Sequence, residues 1–193
     1  MKHAVIVHGY KGRSFTSWKP WLRYALELAG WTVDLPVMPE PDHPDAEAWV
    51  TQLSGAVGHP DTDTYLIGHS LGCITILRYL EELPDDQRVG GVVLVAGFGQ
   101  AFERYEKGDF GQVLDTFFDH ELDWVKIRRH CDQFVAIHSE DDPLVDVGQL
   151  YILGESLGAR TVMVQGMKHF SMKDGVLTAP VVRDELMEIA QTK

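Results

Sequence analysis

The sequence predicts an α/β fold, a parallel sheet with helices on both faces. Three observations carry that prediction. Short runs rich in β-branched residues alternate with segments of helical periodicity. The runs are apolar at successive positions, as expected of strands covered on both sides. Strand and helix candidates follow one another in βαβα order, which implies right-handed crossovers.

The strand candidates are His3–His8, Trp31–Leu35, Thr64–Ile67, Val92–Ala96, Gln133–His138 and Thr161–Val164. A first helix spans Trp18 to Leu28, with Trp21, Leu22, Ala25, Leu28 and Ala29 at helical spacing and Gly30 as its stop. A second runs from Asp45 to Val57, with Asp45 as N-cap and Ala48, Trp49, Leu53 and Ala56 on one face. A third, Leu71 to Leu83, ends before Pro84. Asp146 to Leu157 forms another, with Asp146 placed as its N-cap and Gly158 as its stop. The last runs from about Pro180 to Gln191, with Pro180 near its first position.

Two stretches break this rhythm. Pro36–Pro44 is too proline-rich for a regular element and reads as a rigid loop. Gly97 to Asp132 is longer than a simple crossover needs. It holds Phe98, Phe102, Phe110, Phe117, Phe118 and Trp124, with Gly108 and Gly111, and reads as a small helical excursion at the strand ends. Loops at that edge are where such sheets bind ligands; ordinary crossover packing is the other reading.

The chain has 193 residues. That length fits a single domain, 1–193, with core enough to need neither disulfide nor metal. Lys and Arg number 17 against 29 Asp and Glu, a net charge of −12. A charge of that sign opposes binding to phosphate backbones and to anionic membranes. No apolar run approaches the roughly 20 residues of a membrane span. The N-terminal apolar run, Ala4–Val7, is too short for a secretory signal. Cys73 and Cys131 are read as reduced thiols of a cytoplasmic protein, a single disulfide staying compatible with the sequence.

Gly68-His69-Ser70-Leu71-Gly72 fits G-x-S-x-G, between a strand pattern and a helix pattern. A serine on so tight a turn is pushed outward above the sheet, and the following helix N-terminus offers N–H groups to a developing oxyanion. A glycine–serine capping turn is the structural alternative. A serine hydroxyl needs a general base. His8, His69, His138 and His169 all lie near strand ends; His169, after the last strand, is favoured, and His69 is expected to point away from Ser70. The base needs a carboxylate to fix its tautomer. Glu140, Asp141, Asp142 and Asp146 follow the fifth strand. Asp142 is favoured because Pro143 holds it extended, and Asp141 comes next. The same acids could instead bind a divalent cation, but that leaves Ser70 and His169 unexplained. The chain order Ser70, Asp142, His169 is the α/β-hydrolase order. The expected oxyanion donors are the backbone N–H groups of Leu71 and, from His8-Gly9-Tyr10-Lys11-Gly12, of Tyr10. Gly9 and Gly12 lack the spacing of a phosphate loop or a dinucleotide fingerprint.

His8-Gly9, Trp18 and Trp21, the Pro36–Pro44 loop leading to Trp49, the GHSLG turn, Asp142-Pro143 and His169 span nearly the whole chain. Together they resemble the small serine hydrolases related to human retinoblastoma-binding protein nine, in the α/β-hydrolase superfamily. The resemblance implies a three-layer, six-stranded core of order 2-1-3-4-5-6. It also implies a triad of Ser70, Asp142 and His169, and cleavage of small carboxylic esters or related acyl substrates without cofactor or metal. The motif L-x-C-x-E is absent, since Leu71-Gly72-Cys73-Ile74-Thr75 ends in threonine, so the retinoblastoma partner is not carried over. The expected partner is a small acyl substrate, with neither nucleic acid nor membrane; a homodimer is compatible with the sequence.

Two other readings stand beside this one. Thioesterase, lipase or peptidase chemistry could use the same triad, with no large lid to favour a lipase. Alternatively, the chain is a hydrolase-fold binding module without turnover, offering the aromatics of Gly97–Asp132 to a partner.

Overall fold

A computed structural model describes residues 1–101 and 109–191. The element order is β1 (His3–Val7), α1 (Lys19–Leu28), β2 (Thr32–Asp34), α2 (Ala46–Val57), β3 (Thr64–His69), α3 (Leu71–Glu82), β4 (Gly91–Val95), α4 (Asp109–Phe117), α5 (Trp124–Arg129), β5 (Phe134–Ser139), α6 (Gly148–Leu157), β6 (Arg160–Val164) and α7 (Pro180–Ile189). The strands form one sheet of order β2-β1-β3-β4-β5-β6. Every neighbouring pair is parallel. The sheet order is the one expected.

The inner strands are apolar on both faces because each face has its own helical layer. Val5, Val7, Leu66, Val92, Leu94 and Ala136 pack toward α2, α3, α5 and α6. Ala4, Ile6, Tyr65, Ile67, Val93, Val95, Val135 and Ile137 pack toward α1 and α7. The edges depart from the expectation of strands covered on both sides. Most of β6 is exposed or half-buried, and the two threonine and aspartate ends of β2 face solvent. Arg160 on β6 pairs with Glu185 and, at 2.6 Å, with Glu188. Charge of this kind keeps an edge from recruiting another strand.

Helix ends largely follow local chemistry. Asp45 caps α2 by accepting from the Ala48 N–H at 3.0 Å, and Gly158 closes α6 in the left-handed conformation at φ 65°. Asp146 sits one residue earlier than a cap: Val147 holds the N-cap position, and the Asp146 carboxylate accepts from the Gly148 N–H at 2.7 Å. The buried face of α1 is Lys19, Leu22 and Leu26, following the buried Trp18, whereas Leu28 is exposed. Ala48 is likewise exposed, and α2 buries Trp49, Val50, Leu53 and Val57.

Between β4 and β5 lie α4 and α5; Phe102 and Gly108 fall outside the described residues. The aromatics here turn inward. Phe98 and Phe117 are fully buried, and Phe110, Phe118 and Trp124 are packed against the same core. They make a poor partner surface. Buried Arg78 of α3 ties this segment down, donating to Phe117 O at 2.9 Å and to the Glu81 carboxylate at 2.7 Å. Glu81 in turn accepts from the Asp123 N–H at 2.7 Å. Cys73 and Cys131 are both free and buried. Among the described residues, no helix is long and apolar enough to cross a membrane.

Histidines lie under the C-terminal edge of the sheet. His138 of β5 is fully buried and neither ring nitrogen has a partner. Burial pushes its imidazole from 6.5 down to about 4, and that of His8 likewise to about 4. In the unfolded chain both take up a proton near 6.5, so between 6.5 and 4 the unfolded state binds more protons and acid favours unfolding. The stabilisation is intact above 6.5 and drains away as pH falls toward 4. For a shift of that size it amounts to roughly 3 kcal/mol per histidine. Calorimetry between pH 7 and 4 should show a steep fall in Tm. The fall should be shallower in His138→Leu; an unchanged slope in that variant would contradict the assignment.

Candidate active site

Ser70 lies between the last residue of β3 and the first of α3, and its backbone makes the whole turn. Its φ of 53° and ψ of −119° are those of a conformation that L-residues avoid. The Ser70 N–H donates to Val95 O and the Cys73 N–H to Ser70 O, each at 2.9 Å. The flanking glycines serve close packing and do not themselves make the turn. A Cβ on Gly68 would lie 2.8 Å from the Cys73 Cα, and one on Gly72 would lie 2.5 Å from Val7 O. Helix α3 can therefore sit directly against β1 and β3.

The loop after β6 brings His169 to this edge. Its Nδ1 lies 2.9 Å from Asp142 Oδ2 and 3.2 Å from Oδ1. The pair is well shielded, with side-chain exposures of 9% for His169 and 1% for Asp142. Asp142 also accepts from the N–H groups of Leu144 at 2.8 Å and Val145 at 3.1 Å, which fixes its carboxylate. Asp141 has a different job. Its Oδ1 accepts from the Ser139 hydroxyl at 2.5 Å and from the Gly166 and Lys168 N–H groups at 3.1 Å. The Ser139 hydroxyl, with those N–H groups, holds the Asp141 carboxyl below its usual range. Both acids accept hydrogen bonds from protein donors.

The loop after β1 closes the third side. A Cβ on Gly9 would come within 2.8 Å of the Ser70 Cβ and 3.3 Å of its Oγ, so only glycine lets this backbone pass so near. Pro41 O accepts from the Lys11 N–H at 2.8 Å, and Gly9 O from the Gly12 N–H at 2.9 Å. Among the described residues, the N–H groups of Tyr10 and Leu71 have no acceptor. The Tyr10 ring packs, tilted by 42°, against Phe110 of α4 at 4.8 Å between centroids, which brings the excursion against this loop.

Ser70 itself is 7% exposed. Among the described residues its hydroxyl makes no hydrogen bond, to His169 or to anything else. The structure thus brings Asp142 and His169 into contact and places the Ser70 turn beside them with its hydroxyl open.

Several residues that hold the site carry no motif. The His69 Nε2–H donates to His169 O at 2.8 Å, and the His69 ring centroid lies 5.2 Å from that of His169. It faces the loop that carries His169. Trp18 Nε1 donates to Phe170 O at 3.1 Å, and the Ser17 hydroxyl bridges Phe170 O and Val176 O at 3.0 and 2.7 Å. Desolvation first, and then the charges of His169 and Lys19, press the imidazole of His69 well below its ordinary value.

Comparison with known proteins agrees with this architecture. The serine hydrolase family model matches residues 4–188. YdeN of Bacillus subtilis (strain 168) is 35% identical over 185 residues, covering 96% of this chain and 94% of its own. The serine hydrolase RBBP9 of Rattus norvegicus is 27% identical over 170 residues, covering 86% of each chain. The crystal structure of the B. subtilis ydeN gene product superposes with a TM-score of 0.91 at 33% identity, over 100% of both chains. The chain belongs to the serine hydrolase family and has an α/β-hydrolase fold.

Proposed function

We propose that the protein cleaves small carboxylic esters or related acyl compounds through a Ser70–His169–Asp142 triad. The observation that carries this reading is the buried bond from His169 Nδ1 to Asp142. It leaves Nε2 as the proton acceptor on the ring, beside a serine held outward at a left-handed turn. Bonds between nucleophile and base commonly close only with substrate in place, so an open Ser70 hydroxyl fits.

In this mechanism Ser70 Oγ attacks the substrate carbonyl carbon as its proton passes to His169 Nε2. The imidazolium is stabilised by Asp142. The N–H groups of Tyr10 and Leu71 hold the oxyanion. Collapse breaks the carbonyl carbon–oxygen bond, and the leaving alcohol takes the proton from His169. Water, deprotonated by His169, then attacks the acyl-enzyme; the acid is released and Ser70 recovers its proton. No cofactor or metal enters the cycle. The substrate is a small molecule, and the two free buried thiols support a reducing, cytoplasmic setting.

A fluorophosphonate probe followed by peptide mass spectrometry should label Ser70. Ser70→Ala should lose about 10⁴-fold or more in kcat on p-nitrophenyl acetate. Activity surviving in that variant, with no label on Ser70, would end the reading.

The strained turn gives an independent check. Ser70→Gly should be inactive yet more stable than Ser70→Ala by about 1 kcal/mol in urea titration, because only glycine relieves a positive φ. Equal stabilities would mean that the turn stores no strain.

Asp141 is proposed to act through the loop it anchors. Asp141→Ala should lower kcat by roughly 10–100-fold, the scale of a misplaced catalytic group. Fluorophosphonate labelling of Ser70 should slow in parallel. Asp141→Asn, which keeps one oxygen acceptor, should recover most of the rate. A loss in KM alone would contradict the positioning role.

A further inference from the structure

The Gly9–Tyr10 peptide joins the backbone that passes over Ser70 to the N–H assigned to the oxyanion. This peptide is trans, so the Tyr10 N–H points opposite to the Gly9 carbonyl. Whatever aims that carbonyl therefore aims the donor. Two hydrogen bonds do so. The Gly12 N–H donates to Gly9 O at 2.9 Å, closing a turn in which Lys11 takes a left-handed φ of 52°. The His8 ring reaches the same oxygen through Nδ1, also at 2.9 Å. A Cβ on Gly12 would lie 2.7 Å from Gly9 O and 3.1 Å from His8 Nδ1, so only glycine lets both donors converge there.

A carbonyl oxygen only accepts, so the His8 proton sits on Nδ1. The ring is 1% exposed, and burial lowers its pKa to about 4, so near neutral pH it carries that one proton alone. Its orientation is braced as well. It meets the fully buried Trp49 ring at 79°, with 5.3 Å between centroids. Trp49 Nε1 donates to Pro39 O at 2.7 Å, and Pro41 O takes the Lys11 N–H at 2.8 Å. The proline-rich loop thus supports the turn at Lys11 and the His8 ring through Trp49. A flipped ring would place a carbon where Nδ1 stands and lose the bond to Gly9 O. The mechanism above gives His8 no part, yet this buried ring directs its one N–H at the carbonyl that sets the direction of the Tyr10 N–H.

We infer that His8 is a positioning residue for the oxyanion hole: its Nδ1–H, together with the Gly12 N–H, fixes the Gly9 carbonyl and so holds the Tyr10 N–H in the direction of the substrate oxyanion. The inference rests on the acyl-hydrolase reading above, with Tyr10 as one of its donors. His8 exchanges no proton with the substrate and acts only through the Gly9–Tyr10 peptide. Its effect falls on the transition state, because the oxyanion gains more from an aimed donor than the neutral carbonyl does.

The test reads the tautomer first and the rate second. In the unaltered protein at pH 7, two-bond ¹H–¹⁵N correlation should show His8 protonated at Nδ1 and bare at Nε2; the opposite tautomer would overturn the inference without any variant. His8→Leu should lower kcat on p-nitrophenyl acetate about tenfold or more, less than outright loss of a donor, with KM little changed. Inhibition by an alkyl trifluoromethyl ketone, whose carbonyl becomes an oxyanion when Ser70 Oγ adds to it, should weaken in parallel. His8→Asn puts an amide N–H near the position of Nδ1 and should recover most of both. His8→Gln carries its amide on to the position of Nε2 and should not. Should His8→Leu fail to fold, the contrast between Asn and Gln decides. An unchanged kcat, a loss confined to KM, or equal losses in Asn and Gln would overturn the inference, while normal fluorophosphonate labelling of Ser70 leaves the hydrolase reading standing. If the unaltered protein turns over no ester and Ser70 stays unlabelled, that reading has itself failed and the inference falls with it.

Discussion

The backbone of Ser70 must pass from the central strand into the central helix within a single residue. The rest of the site depends on that constraint. A left-handed serine costs on the order of 1–3 kcal/mol, and it persists only because its surroundings leave no other path. Val95 O on β4 takes the Ser70 N–H. Gly68 lets β3 approach the backbone of Cys73 on α3, Gly72 lets α3 press against Val7 O, and Gly9 lets the β1 loop pass over the Ser70 side chain. Each of these approaches would be blocked by a methyl group. The serine is therefore held outward by packing, and its hydroxyl needs no hydrogen bond of its own to stay there.

The second requirement is that a loop after an edge strand be as well placed as the central turn. Strand β6 has a neighbour on one side only, so the loop that follows it cannot rely on the sheet. Adjacent acids divide the work. Asp141 gathers the N–H groups of Gly166 and Lys168, with Ser139 holding the Met167 N–H at 3.0 Å. Asp142 is then free to meet the His169 ring. From the other side, His69, Trp18 and Ser17 hold the carbonyls of His169 and Phe170. The loop is clamped at its backbone from both faces of the sheet.

Much of this was legible in the sequence, and the residues show why. The sheet order and the positions of Ser70, His169 and Asp142 follow from periodicity, the glycine–serine spacing and the resemblance to a family. Other features were invisible for physical reasons. Pro143 separates Asp142 from Asp141 as the expected partner of His169, but the anchoring role of Asp141 lies only in the direction of its side chain. The face of α1 was misread because Lys19 replaces an apolar residue at a buried position, while Leu28 points out. The inward packing of the described aromatics after β4 is hidden in the sequence because no periodicity shows that Arg78 and Glu81 pin that segment to α3. The outward serine follows from the tight turn, but its positive φ and the closeness that the glycines beside it allow depend on neighbours far away in the chain.

The electrostatics of the edge close the argument. A general base must gain a positive charge in the transition state, and like charges nearby would raise that barrier. His69 lies beside His169, and His138 is close enough that the charge of His169 weighs on it. Burial keeps both imidazoles neutral well below neutral pH. In the proposed mechanism the histidine that must charge, His169, is thus flanked by imidazoles that burial holds neutral, and of the three it is the one bonded to Asp142. Desolvation, a cost to folding in acid, would there reserve the proton for His169. The charge of Lys19 acts in the same sense, opposing protonation of His8 and His69.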